Sequence, residues 1–221
     1  MPTLQIRSVP PYSAVPFQRW KDGHYDVLAD IRISQFIRDI LKEKATRRRE
    51  SRLRKGYKSG DRRFFGEAYI ASQIPHEQGW YGSFKWLTSS ASATGASNAH
   101  SREFGAALGK YFGHRSAELH QTARRLCDLP DCRKPVPPDL WLISGGKHRF
   151  IESKLRGDIV RPSQLAGLAV IAVCLSEVVP VSVEVIRIFS QAEKRHHDKE
   201  EAERREMEGT FEHYCHQLRA G

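Results

Sequence analysis

Two acidic residues and one lysine, spaced for neighbouring strands, are where this sequence could do chemistry. Asp139 follows Pro138, twelve residues separate it from Glu152, and Lys154 stands two positions further on. Residues two apart on a strand face the same side of a sheet, so Glu152 and Lys154 point together. A strand over Asp139 to Ile143, a turn at Ser144-Gly145-Gly146-Lys147 and a second strand over Arg149 to Lys154 make a hairpin that sets Asp139 beside them. Two carboxylates and an ammonium at one sheet edge suit a hard divalent cation, which takes oxygen ligands and keeps several waters. Such an ion lowers the pKa of a bound water and neutralises charge on a phosphate. Lys154 can orient that water or stabilise the developing negative charge. The matching chemistry is hydrolysis of a phosphodiester. The plainer alternative makes Glu152 and Lys154 an exposed ion pair of little worth, and Asp139 a turn residue after proline.

The elements around the hairpin are legible to different degrees. Pro162 opens a helix over Ser163 to Val178 that is almost wholly apolar, as expected of a helix buried on a sheet, with Cys174 a core residue. Val181, Val183 and Val185 alternate and Ile186 and Ile188 follow, predicting another strand. Upstream, residues 1–24 read as irregular, broken by four prolines. A helix is expected from about Tyr25, with Ile33, Phe36, Ile37, Ile40 and Leu41 on one face, and Gly56 and Gly60 mark a break. A second helix covers Arg62 to Ser72. Gly79 to Leu87 reads as an aromatic strand or hairpin arm, Thr88 to Asn98 as a flexible loop, and Arg102 to Arg125 as a helix.

Charge points to the partner. The chain carries +10, and +8 of that lies between Lys42 and Arg63, where 11 basic residues face only 3 acidic ones. A dense one-signed stripe binds a polyanion by displacing its condensed counterions. The contact set is Arg47, Arg48, Arg49, Arg52, Arg54, Lys55 and Lys58. The bland alternative is a solvated helix face. Gln191 to Glu208 mixes five basic with seven acidic residues and reads as a solvated helix, running to about Leu218, or as a homodimer contact. The 221 residues can bury a core without staples. Four cysteines form no disulfide framework, no apolar run is long enough to span a bilayer, and the first twenty residues lack the apolar stretch of a secretory signal. The expectation is a cytoplasmic, DNA-associated protein with no membrane partner.

The pattern Pro138-Asp139, twelve residues, Glu152-Ser153-Lys154 resembles the PD-(D/E)XK nuclease superfamily, and PPDLWLISGGKHRFIESKLRGDIVRPSQLAGLAVI is most similar to its VRR-NUC branch. In that branch a glutamine opens the helix after the acid-x-Lys strand, and Gln164 stands there. The superfamily also places a glutamate on its first core helix; Glu67 is the candidate, because Gly79 to Leu87 can then be the first strand, and Glu103 competes. The resemblance implies an α/β fold with a restriction-endonuclease-like core, a mixed central sheet flanked by helices, and helical N- and C-terminal extensions. The division expected is 1–61 as a basic, mainly helical extension, 62–189 as the nuclease core with an inserted segment around 88–136, and 190–221 as a charged helical tail. By the same resemblance Asp139 and Glu152 would bind Mg²⁺ or Mn²⁺ with the main-chain carbonyl of Ser153. Lys154 would act on the attacking water, Glu67 would bind a second metal or a metal-bound water, and Gln164 would steady the site or contact the phosphate. The substrate implied is DNA, with RNA left open.

Other signals are weaker. His114, His120, Cys127 and Cys132, or His213, Cys215 and His216, could be imagined as zinc sites, but lone Cys and His residues are more often structural. Trp80, Tyr81, Phe84 and Trp86 could stack on unpaired bases, or belong to the core.

Overall fold

The computed structural model describes residues 3–25, 35–57, 62–82, 87, 99–128, 134–192 and 197–220. Five strands make one mixed sheet in the order β1-β5-β4-β3-β2. They are β1 (Leu4–Ser8), β2 (Gln78–Tyr81), β3 (Leu140–Ser144), β4 (Lys147–Leu155) and β5 (Val181–Ile188). β2, β3 and β4 are antiparallel neighbours, while β5 runs parallel to both β4 and β1. The β3–β4 hairpin turns at Gly145 and Gly146, whose φ values of 56° and 75° are left-handed and suit a two-residue turn.

Side-chain parity divides the sheet into two faces. Trp141, Ile143, Phe150, Val183 and Val185 point to one layer, packed by α6 (Pro162–Leu175), α7 (His197–Ala220), α4 (Ala99–Phe112) and α5 (Ser116–Cys127). Leu140, Leu142, Ile151, Ile186 and Ile188 point to the other, with α1 (Ala14–Asp22), α2 (Gln35–Arg54) and α3 (Phe65–Gln73). The parallel β4–β5 pair is joined by α6, which crosses over the first face as a buried apolar rod. No helix among the described residues is long and apolar enough to cross a membrane.

Three expectations need correction. Residues 1–24 are not irregular: Leu4–Ser8 adds an edge strand to β5, and Pro16 sits inside the first turn of α1, where proline's missing N–H costs nothing. The helix expected over Arg102 to Arg125 is two helices, broken by a 3-10 turn at Gly113–Arg115. The charged C-terminal helix is not merely solvated: Met207, Phe211, Tyr214, Cys215 and Leu218 recur at helical spacing and are buried in the α6 layer. Of the aromatic strand, only Gln78–Tyr81 is described as strand; 83–86 and the loop at 88–98 lie outside the described residues.

Candidate active site

The hairpin register brings the three residues together. Leu140 pairs with Ile151 in antiparallel register, which places Asp139, one residue earlier, across from Glu152 on the same face as Lys154. Asp139 is held at both ends: its carbonyl accepts from the Gly82 amide at 2.7 Å, and its Oδ2 accepts from the Ser153 amide at 2.9 Å and the Ser153 hydroxyl at 3.0 Å. Ser153 thus enters the site by clamping Asp139 with its N–H and Oγ.

Glu152 and Lys154 are buried, at 1% and 8% exposure, which excludes the solvated surface pair. Lys154 Nζ donates to Glu152 Oε1 at 2.8 Å and to Gln164 Oε1 at 3.1 Å. Gln164, at the third position of α6, also accepts from the Arg161 amide at 2.9 Å and donates through Nε2 to Glu152 Oε1. One side chain therefore caps the helix and fixes both charged groups. All these bonds to Glu152 fall on Oε1. Glu152 Oε2 finds no donor, the only buried carboxylate oxygen among the described residues left so.

Glu184 on the neighbouring strand shows the contrast. It is equally buried, yet its Oε1 accepts from Arg149 Nε and Ser182 Oγ, each at 2.7 Å, and its Oε2 from Arg149 Nη2 at 2.8 Å and Arg7 Nη2 at 2.6 Å. A buried acceptor without a partner costs about 1–3 kcal/mol. Glu184 avoids that cost; an ionised Glu152 would bear it at Oε2.

Three acids press on one another here. Burial first, then the Asp139 charge, pushes the Glu152 carboxyl up to about 8, against the pull of Lys154. Glu67 is pushed up to about 8 by the same two causes in the same order. Asp139 is raised by burial, with its Ser153 bond opposing. Asp139 and Glu152 are within hydrogen-bond reach, but two ionised carboxylates are both acceptors, so the bond forms only while Glu152 keeps a proton. A proton on Glu152 or a cation near the pair would relieve their repulsion. The candidate donor set is Asp139 and Glu152, with Glu67 in electrostatic range; Mg²⁺ needs only one or two carboxylates besides its waters. Among the described residues, no group of three or more His, Cys, Asp or Glu is already drawn together around one point, and that includes both imagined zinc sites, of which Cys132 lies outside the described residues.

Glu67 arrives from the opposite layer. Phe64, at φ 66°, is the one non-glycine residue with positive φ among those described; it swings the chain into α3 so that Glu67 falls in the first turn. Glu103, the competitor, stands exposed on α4. Tyr81 is the residue the sequence did not single out for this site. Its hydroxyl is raised by burial and then by the charges of Glu67, Asp139 and Glu152, and its ring packs on Phe64 with centroids 5.8 Å apart. Trp80, by contrast, is buried against Trp141 and belongs to the core; Phe84 and Trp86 lie outside the described residues.

The basic stripe starts at this rim. Lys44 Nζ lies 5.3 Å from the Tyr81 ring centroid. Ile37, Leu41 and Ala45 seat α2 on the sheet, so its last basic residue, Arg54, stands ~15 Å along the axis from Lys44. Arg47, Arg49, Arg54 and Lys55 are exposed; Arg48 and Arg52 are half-buried, with Arg52 4.5 Å over the Tyr57 ring. Lys58 lies outside the described residues.

These shifts set a pH dependence for the metal-free protein. Glu67 and Glu152 hold their protons in the fold up to about 8 but lose them near 4.5 when unfolded, so between those values rising pH favours unfolding. His148 works the other way. Burial lowers it to about 4 from 6.5, so acid costs stability as pH falls from 6.5 towards 4. Between pH 6.5 and 8 only the carboxyls act. In EDTA the melting temperature should therefore fall across that window, and Glu152→Gln should shallow the slope; a wild-type trace that rises would contradict the assignment.

Compared with known protein families, curated proteins and solved structures, the chain matches none.

Proposed function

We propose that the chain is a metal-dependent nuclease that hydrolyses DNA phosphodiester bonds, on a restriction-endonuclease-like core of the PD-(D/E)XK type. The observation that carries the proposal is the buried, donorless Glu152 Oε2, on a carboxyl within hydrogen-bond reach of Asp139, while the Oε1 of the same carboxylate is bonded twice. The order of strand, Gly-Gly turn, strand, apolar helix and parallel strand supports the same reading.

Asp139 and Glu152 would hold Mg²⁺ or Mn²⁺, with Glu67 completing or flanking the set. A divalent ion there would supply charge neutralisation at the phosphate and a bound water of lowered pKa. Lys154 has three donor protons and spends two on Glu152 and Gln164. The third is available to orient the attacking water or to meet negative charge developing on the phosphate. Gln164 keeps Lys154 and Glu152 in register. Ser153 keeps Asp139 from rotating away. Lys44 and the exposed arginines of α2 would carry the backbone to the site without reading sequence.

The test is a cleavage assay across duplex, branched and single-stranded DNA and RNA, with each divalent ion in turn. Cutting of DNA that requires Mg²⁺ or Mn²⁺ is expected. DNA affinity without cutting and without ion binding at Asp139 and Glu152 would leave a nucleic-acid-binding protein on a nuclease-like scaffold instead. A separate prediction concerns the stripe. The triple substitution Arg47→Gln, Arg49→Gln, Arg54→Gln should weaken DNA binding and flatten the slope of log K against log salt by roughly one for each phosphate no longer neutralised. An unchanged slope would remove α2 from the interface.

A further inference from the structure

A cavity of about 670 Å³ opens beside the site, between α7, the end of β5 and the loop from β4 to α6. The two adjoin: Arg187, which lines the cavity, is the register partner of Lys154 on the next strand. Pro162 and Leu165 line the cavity on either side of Gln164 in sequence, and Gln164 is bonded to Glu152 and Lys154. Asp158 also lines it, and the Asp158 charge is felt at Glu67.

The walls suit a flat, uncharged group. Ile159, Val160, Leu165, Phe189 and Met207 supply apolar surface. Ile159 is 80% exposed at the mouth, an aliphatic side chain held out in water. The charged lining is acidic: Asp158, Glu200, Glu203 and Glu206 against Arg156 and Arg187, with Arg187 held by Glu203 at 2.5 Å. A net negative cavity in a chain of +10 rejects a phosphate and accepts hydrogen-bond donors. Carboxylates take such bonds from exocyclic amino groups, as they do from cytosine N4. With Arg187 of the cavity wall beside Lys154, a phosphate at Asp139 and Glu152 would direct a neighbouring base towards the cavity. A base stacked in a duplex cannot enter it.

We propose that this cavity receives an unpaired, amino-bearing nucleobase flanking the scissile phosphate, so that the substrate is DNA with a single-stranded or unpaired position. The proposal rests on the phosphodiesterase reading.

The experiment uses the full chain with Ca²⁺ and an oligonucleotide carrying 2-aminopurine, either unpaired or paired. On binding, the unpaired probe should change its emission and the paired probe should not. Ile159→Asp, on an exposed loop, should weaken binding of the unpaired probe about tenfold, the size of removing one side chain from a base, and shift the duplex less than about twofold. Replacing the unpaired probe base with thymine should also weaken binding. Equal weakening for both probes, no weakening for either, or displacement of the probe by a cationic peptide at lower concentration would each overturn the proposal. Cleavage is read separately with Mg²⁺. Cutting that is indifferent to Ile159 sinks only the base site, whereas absence of cutting on every substrate sinks the reading beneath it.

Discussion

Glu152→Gln should lower DNA cleavage by a factor on the order of a hundred to a thousand while leaving the fold as stable as before or more so. The two halves of that expectation come from the same atom. Oε2 is a buried oxygen with no donor, on a carboxyl within hydrogen-bond reach of Asp139. An amide nitrogen in its place can donate to Asp139, as the protonated acid does in the metal-free site, while Oε1 keeps its bonds from Lys154 and Gln164. The neutral amide is a far poorer ligand for a hard cation. Melting in EDTA at pH 8 should show the variant at or above wild type, and the gain in melting temperature that Mg²⁺ gives wild type should vanish. Asp139→Ala and Lys154→Ala should lose activity to a similar degree. They are less clean, because alanine at 154 leaves Glu152 buried without its cation. Wild-type cutting rates in Glu152→Gln would end the nuclease reading.

Gly167→Ala should be the most damaging of the small substitutions. Gly167 lies in the second turn of α6, and a methyl group there would fall on the Val136 carbonyl oxygen, with the Val136 carbonyl carbon only 2.8 Å away. Backbone cannot yield as a flexible side chain can. Val136 is itself tied to α6 by its amide, which donates to the Ser163 carbonyl at 2.9 Å. The strap from Val136 leads in three residues to Asp139, so lifting it shifts the first carboxylate from its Ser153 clamp. Overpacking of this kind costs about 1–3 kcal/mol and sometimes more. For a chain of this size that lowers the melting temperature by roughly 2–4 °C per kcal/mol. Activity should fall further than stability, since about 1 Å of misplacement at a catalytic group can cost a hundredfold. Calorimetry and a cleavage assay together check both. Wild-type values for each would mean that the strap is looser than its hydrogen bond implies.

How much of the site could be read beforehand differs residue by residue. Glu152 and Lys154 share a side because a strand alternates, and the Gly-Gly turn fixes which position of the first strand stands opposite. Those are local rules, and the register with Leu140 opposite Ile151 follows them. The same locality misled at the N-terminus. Four prolines and few apolar residues described β1 poorly, because an edge strand takes its hydrogen bonds from β5, about 180 residues away. Mixed charge likewise hid the buried stripe of α7, whose apolar positions are spread one or two per turn and are completed by α6.

Legible in the chain before any folding were the order of strands and helices in the second half, the hairpin, and the meeting of two acids and a lysine on one sheet face. Each depends on backbone periodicity and turn stereochemistry, which act over a few residues. Packing over long range sets the rest: the burial that raises Glu67, which sits on α3 in the far layer, Tyr81 and Lys44 at the rim, the bonds by which Ser153 and Gln164 hold the site, and the one oxygen of Glu152 without a donor. Those outcomes depend on which helix packs on which face and how deeply each carboxyl is withdrawn from water. Desolvation is a sum over neighbours distant in the chain, and no short stretch of residues encodes it.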